Sequence, residues 1–250
     1  MRTLECTLDR SPNGEDQTVL IWTELQVPND LELTDQWAGY FQPLLRAPGH
    51  EGSMWGRVQE RPNTILLLTG WKSTSIMKEF IASPSAKIYW ENLKNGGIIY
   101  MSSRETFSRY DFWSRISRNF LYSYVQLFWV YFPAPVNEAY KARIRKLRST
   151  ENGLAQQHRP LKIWATNTEF VHGQEARLMV WSNFWQDESC AEYRHHREYN
   201  TIQGMGARVR VVHCKPQLER VSDSLEEVGA VGWKEEFVYF KQFESPAVLV

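Results

Sequence analysis

The sequence predicts an α+β protein built from two βαββαβ units in tandem. Three observations carry this. At 250 residues the chain exceeds one average domain. Tryptophans recur on candidate strands in the same order, Trp22, Trp55 and Trp71 and then Trp129, Trp164 and Trp181, separated by 107, 109 and 110 residues. Hydrophobic periodicity then alternates in each half between the period of a strand and that of a helix.

In the first half, residues 18–27 are rich in β-branched and aromatic side chains and form a strand. Residues 33–46 place Trp37, Tyr40, Phe41, Leu44 and Leu45 at helical spacing, with Pro43 weakening the helix end. Strands 52–60 and 63–71 flank a tight turn at Arg61-Pro62. Ser73 or Thr74 caps a helix with the stripe Ile76, Met77, Phe80 and Ile81. Ser83-Pro84 opens a further helix through Asn92, and residues 97–107 return as the fourth strand.

The second half is expected to follow the same order: strand 121–132, helix 136–147, strands 161–170 and 176–184, helix 188–199 and strand 207–214. A polar segment, 219–227, precedes a last strand at 236–243. The predicted units are residues 16–107 and 120–250, joined by a linker at 108–119. Runs such as 65–68 and 121–132 are apolar without alternation, so both faces of each sheet are expected to be covered.

Lys plus Arg and Asp plus Glu both number 29. That balance provides no basic excess for phosphates or an anionic bilayer, so neither nucleic acid nor membrane is an expected partner. The N-terminal stretch MRTLECTLDRSPNGEDQTV lacks the apolar run of a secretory leader, and a cytoplasmic protein is expected. The apolar core of the most aromatic stretch, 121–132, is too short to span a bilayer. The cysteines, Cys6, Cys190 and Cys214, are odd in number and far apart, which fits neither a disulfide framework nor a zinc site.

The run GSMWGRVQERPNTILLLTGWKSTSIMKEFIASPSAKIYW resembles the dimeric α/β-barrel proteins of the antibiotic-biosynthesis monooxygenase type, in particular their fungal tandem forms. The shared features are a Trp-Gly strand, a hairpin, a strand ending in Gly-Trp, a Ser-capped helix ending in Phe-Ile, and Ser-Pro. The match covers residues 52–90; in the second half EARLMVWSNFWQDESCAEYRHHREYN fills the same slots by topology alone. The resemblance implies two ferredoxin-like units forming an intramolecular dimeric α/β barrel with antiparallel sheets. It also implies an apolar cavity between helices and sheet in each unit, and activities that range over cofactor-free oxygenases, polyketide cyclases and haem-binding branches.

The cyclases carry a His-Pro-Ala-His segment whose second histidine works with a tyrosine as acid and base. Here that segment falls on Ser83, Pro84, Ser85 and Ala86, so the first half lacks the histidine and becomes the candidate pseudo-subunit. In the second half the slot holds His196, Arg197, Glu198 and Tyr199. On a continuing helix His195 and Tyr199 share a face, and a His-Tyr couple can move a proton to or from an enol or carbonyl. The competing reading is a solvated helix end whose histidines favour the dipole's negative pole. His213, on a strand face with Val209 and Val211, is either a pocket base or a satisfied core histidine. His50, His158 and His172 read as loop and turn residues.

The catalytic candidates are therefore His195, Tyr199 and His213, with Trp129, Trp164, Trp181 and His196 lining or supporting an aromatic pocket. Those aromatics could equally be core filling. No HxxxH occurs, and adjacent histidines on a helix diverge by about 100°, so no metal is expected. Without GxGxxG, Walker or GxSxG sequences no nucleotide cofactor or hydrolase elbow is expected either. The expected function is cofactor-free cyclisation or isomerisation of an apolar polyketide-like or terpenoid intermediate. The alternatives are a cofactor-independent monooxygenase of a phenolic substrate and a non-catalytic small-molecule carrier. A homodimer of the whole chain is compatible with the sequence.

Overall fold

The computed structural model describes residues 4–5, 18–28, 31, 37–108, 112–147, 156–192, 199–202, 210–213 and 217–243. In chain order the elements of the first half are β1 (Leu4–Glu5), β2 (Thr18–Gln26), α1 (Trp37–Tyr40), α2 (Gln42–Leu45), β3 (His50–Val58), β4 (Arg61–Trp71), α3 (Thr74–Ile81), α4 (Pro84–Asn95) and β5 (Ile99–Ser108). There follow α5 (Phe112–Arg115), α6 (Ser117–Leu121), β6 (Tyr124–Pro133), α7 (Glu138–Arg145), β7 (Gln156–Val171), β8 (Gln174–Trp185), α8 (Glu188–Glu192), β9 (Tyr199–Ile202), β10 (Arg210–His213), α9 (Gln217–Glu227), β11 (Gly232–Val238) and β12 (Lys241–Gln242).

Eight long strands close into an antiparallel barrel in the order β7-β5-β2-β4-β3-β11-β6-β8, with β8 pairing back onto β7. Each half contributes four strands in the same relative order. The two seams are thin. Thr106 faces Ala165 between β5 and β7, and Val58 faces Val238 between β3 and β11, where β12 extends the pairing through Lys241 and Gln242 opposite Trp55 and Met54. The seams are held mainly by what lies inside.

Side chains alternate across each strand, so every second residue points into the barrel. Leu20, Trp22, Leu66, Leu68, Val125, Leu127, Trp129, Ile163 and Val180 meet there in one buried cluster. Trp22 packs edge-on against Trp129 at 5.6 Å and donates Nε1–H to Thr106 Oγ1 at 3.1 Å. The segment expected to be a linker also lies here: α5 and α6 bring Phe112, Ile116 and Phe120 into the interior. Phe120 packs against Trp22, Phe184 and Phe240. Trp113 stands over the paired glycines Gly52 and Gly70, where a Cβ would come within 2.8 and 1.8 Å of its ring.

Further round the interior, charges from both halves meet. Glu24 accepts from Arg61, Arg104 and Lys234, while Glu236 accepts from Arg61 and Lys234. Arg104 also donates to Glu169. Burial by itself would raise the Glu24 pKa, but the three cations outweigh it and hold the carboxyl below its ordinary value.

Helices cover the outer faces. Ser73 accepts from the Ile76 amide to start α3, and Ser83 from the Ala86 amide to start α4, as expected. Other local readings change. The first hairpin turns at Gln59-Glu60, and Arg61 and Pro62 belong to β4, because a register shift beside Val58 accommodates a residue with no N–H to donate. The predicted helix 33–46 is described from Trp37 and divides into α1 and α2, with Pro43 in the first turn of the second.

In the second half, the fourth strand is β11 and not residues 207–214, of which β10 forms part of a separate two-stranded ribbon with β9. The polar segment 219–227 is helical, with Val221, Leu225 and Val228 buried on one side. The expected strand 236–243 is divided between β11 and β12. Because Gly70 has no room for a methyl group, Gly70→Ala is expected to lower stability by about 1–3 kcal/mol. Its urea midpoint should fall at unchanged slope, and less so in a Trp113→Leu background if Trp113 is the obstacle.

Candidate functional site

A cavity of about 480 Å³ lies between the outer face of the first sheet and helices α3 and α4, within the ~300–1,000 Å³ of small-molecule pockets. Ile21, Thr23, Leu67, Thr69, Trp71, Ser103 and Glu105 of β2, β4 and β5 form its floor. Leu44, Met77, Phe80, Ile81, Tyr89 and Trp90 close it from the helices, and Tyr100 and Asn167 stand at its edge. A chain of rings runs along the wall, Trp71 to Phe80 at 5.1 Å, Tyr89 to Trp90 at 4.7 Å and Trp90 to Tyr100 at 5.4 Å. Ile81, Trp90, Tyr100 and Asn167 are exposed and mark the mouth.

Strand register shows why the space opens in this half. Trp22 faces Leu68 and Trp129 faces Val180, while Trp55 faces Leu67 and Trp164 faces Met179. The first two tryptophan pairs therefore occupy equivalent positions. The third is displaced by two residues: Thr69 corresponds to Trp181, and Trp71 to Asn183. By the same register Ile21, Thr23 and Ser103 correspond to Phe128, Val130 and Trp233. Where the first half has small floor residues, the second has large rings. Phe128 packs on Trp181 at 5.6 Å and on Trp233 at 5.9 Å. Lys162 lies over the Trp181 ring at 4.5 Å and donates to the Ile144 and Leu147 carbonyls at the end of α7. The first half, expected from Ala86 to be the candidate pseudo-subunit, holds this cavity.

Tyr89 and Glu105 line the cavity from opposite sides. Tyr89 is 4 % exposed, and burial, aided by the neighbouring Tyr100, pushes its phenol pKa upward, so it is a proton-bearing donor at neutral pH. Glu105 accepts from Thr74 Oγ1 at 3.2 Å, which ties its carboxyl to the start of α3. Tyr100 and Ser103 pair through their hydroxyls at 2.9 Å. The arrangement offers an acid–base carboxyl on the floor, a neutral phenol on the roof and flat apolar walls between them. None of the described lining residues is a histidine.

His50, expected to be a loop residue, opens β3 with its ring edge-on to Trp71 at 5.6 Å and Nε2 2.7 Å from Ser53 Oγ. Burial, opposed by backbone hydrogen bonds with Gly52 and Leu45, brings its pKa down to about 4.

Of the residues proposed from the sequence, His195 and His196 lie outside the described residues. Tyr199 opens strand β9 and does not continue the α8 helix, so the shared helical face with His195 is corrected. Tyr199 is the register partner of His213 on β10. Trp129 lies in the barrel interior and not between helices and sheet. Trp164 and Trp181 are packed with α7 and α9 in the second half's outer core. Tyr89, Glu105, Tyr100 and Asn167 were not singled out by sequence. Period-2 alternation along β5 places Glu105 and Ser103 on one face, but nothing local marks that face as a cavity wall.

An antiparallel eight-strand barrel built from two four-strand halves, each flanked by helices, is a dimeric α/β barrel folded within one chain. The chain has the fold that residues 52–90 predicted. No protein-family description and no curated protein matches its sequence. Among solved structures it is similar to an anthrone oxidase-like protein, at 10 % identity with a TM-score of 0.51, over 94 % of this chain and 97 % of that one. A smaller match is SnoaB, a cofactor-independent oxygenase from Streptomyces nogalater, at 15 % identity and a TM-score of 0.29, over 37 % of this chain and 91 % of that one.

A pH effect follows from His50. Its folded pKa of about 4 lies below the ordinary 6.5, so the unfolded chain binds the extra proton first. Stability is expected to be fully present above pH 6.5 and to fall as pH drops toward 4; urea midpoints across that window should lose this component in His50→Gln.

Proposed function

We propose that the protein binds a flat aromatic substrate in the first-half cavity and oxidises it with molecular oxygen without a cofactor. The observation that carries this reading is the pairing of Glu105 and Tyr89 within one ring-lined cavity. A phenolic compound of the anthrone type fits its chemistry. Glu105 takes a proton from the methylene carbon, and the negative charge moves to the ketone oxygen, where the neutral Tyr89 phenol stabilises it. The electron-rich anion passes one electron to O2, and the resulting radical and superoxide combine as a carbon-bound peroxide. Loss of water from the peroxide, with the second methylene hydrogen, leaves a quinone. Anthrone and O2 thus give quinone and water, with no external reductant. The anthrone oxidase-like protein whose solved structure is similar over nearly the whole chain agrees with this reading.

Cyclisation or isomerisation of a polyketide-like intermediate is the second reading, because the same two groups would stabilise an enolate that never meets oxygen. His195, Tyr199 and His213 are retained as its alternative acid–base set, supported by the facing positions of Tyr199 and His213. The mass of the product separates the two reactions.

The purified chain is expected to consume one O2 per anthrone converted and to form no product under anaerobic conditions. Glu105→Gln should lower kcat by about 10²–10⁴-fold, the usual contribution of general acid–base catalysis. Tyr89→Phe should lower kcat by up to about 10²–10³-fold, as loss of an oxyanion donor does. If both variants keep full turnover while Tyr199→Phe and His213→Ala lose it, the site belongs to the second half. An isomeric product formed in both atmospheres identifies cyclase chemistry, and unchanged ligand in every arm identifies a carrier.

A further inference from the structure

We infer that Asn167, contributed by the second half of the chain, is a specificity-determining residue of the first-half cavity, selecting aromatic substrates whose oxygen substituents lie along one edge. This rests on the reading that the cavity is the substrate site.

The placement of Asn167 depends on a bulge. Strands β7 and β8 pair as far as Trp164 opposite Met179 and resume at Thr168 opposite Arg177. Ala165, Thr166 and Asn167 therefore face Leu178 alone, and the excess chain bends out of the ladder. Bulges of this kind re-aim side chains beside binding sites. Arg177 braces this one, donating Nε–H to the Ala165 carbonyl at 2.8 Å and a terminal N–H to the Thr166 carbonyl at 3.3 Å. On the other side Ala165 faces Thr106, and Thr166 Oγ1 donates to the Glu105 carbonyl at 3.4 Å. The bulge is pinned from both halves, and the next residue, Asn167, lines the cavity beside the strand that carries Glu105.

Polar groups are unevenly distributed around the cavity. Tyr100, Ser103 and Glu105 all lie on β5, and Asn167 adds the neighbouring strand, so one wall is a polar strip. Leu44, Met77 and Phe80 make the helix side apolar apart from the Tyr89 hydroxyl. A ligand with hydroxyls beside its methylene can turn that edge to the strip, which keeps the methylene on Glu105 and the ketone on Tyr89. The Asn167 amide both donates and accepts, so it can pair with a hydroxyl or a carbonyl. A ligand lacking such groups gains nothing from it.

The test is anaerobic titration of the full chain, followed by tryptophan fluorescence, with two probes: anthrone, and a dihydroxyanthrone whose hydroxyls flank the methylene. Wild type is expected to prefer the dihydroxy compound, and Asn167→Ala to reduce that preference about five- to tenfold, the worth of one hydrogen bond, with anthrone affinity unchanged. Arg177→Gln should reduce the preference in the same direction through the misplaced bulge. If Arg177→Gln fails to fold, as urea melts would reveal, Asn167→Ala decides alone. An unchanged preference in Asn167→Ala, with both probes still bound, overturns the inference and leaves the proposed function standing. Failure of wild type to bind either probe overturns both.

Discussion

The structure depends on the filling of a closed barrel. Eight strands from two halves meet at seams with few ladder pairs, and the halves are locked by the side chains both send inward. The edge-on contact of Trp22 with Trp129 lies across that boundary, and Phe120 of the intervening segment packs on Trp22. Large aromatic side chains bury the most surface per residue, and apolar burial contributes about 25 cal/mol per Å². A connecting segment that fills the interior with Phe112, Ile116 and Phe120 therefore contributes to the core as well as joining the halves.

The interior also holds charge, which a barrel tolerates only when each charge meets its opposite. Glu24, Arg61 and Arg104 come from the first half, and Glu169, Lys234 and Glu236 from the second. Arg104 and Lys234 lie 5.5 and 5.2 Å from the centre of the Trp129 ring, which joins the ionic cluster to the aromatic one. Because these partners are divided between the halves, the network is complete only when the barrel is closed.

With both halves committed to a shared interior, their outer faces were left to differ. Thr69 and Ser103 leave room under α3 and α4, whereas Trp181 and Trp233 fill the corresponding floor positions in the second half. One architecture thus carries a hollow under α3 and α4 in one half and, at the corresponding described floor positions of the other, large packed rings. The hollow still draws on both halves, since Asn167 comes from β7.

The sequence by itself determined the order of elements in the first half and the caps at Ser73 and Ser83, because period and capping are properties of neighbouring residues, while the barrel was implied by the resemblance of residues 52–90 to known barrel proteins. It misjudged β11: Gly232–Val238 carries Lys234, Glu235 and Glu236 in succession, and such a run reads as solvated until its partners across the barrel are known. The tryptophan spacing showed two similar halves but not the two-residue displacement of Trp181 relative to Trp71, which is a matter of strand register. Only the tertiary structure decided that Tyr89, Glu105 and Asn167 share one cavity in the first half. Those residues are brought together by strand pairing and helix packing between distant segments, and local sequence pattern carries no record of such contacts.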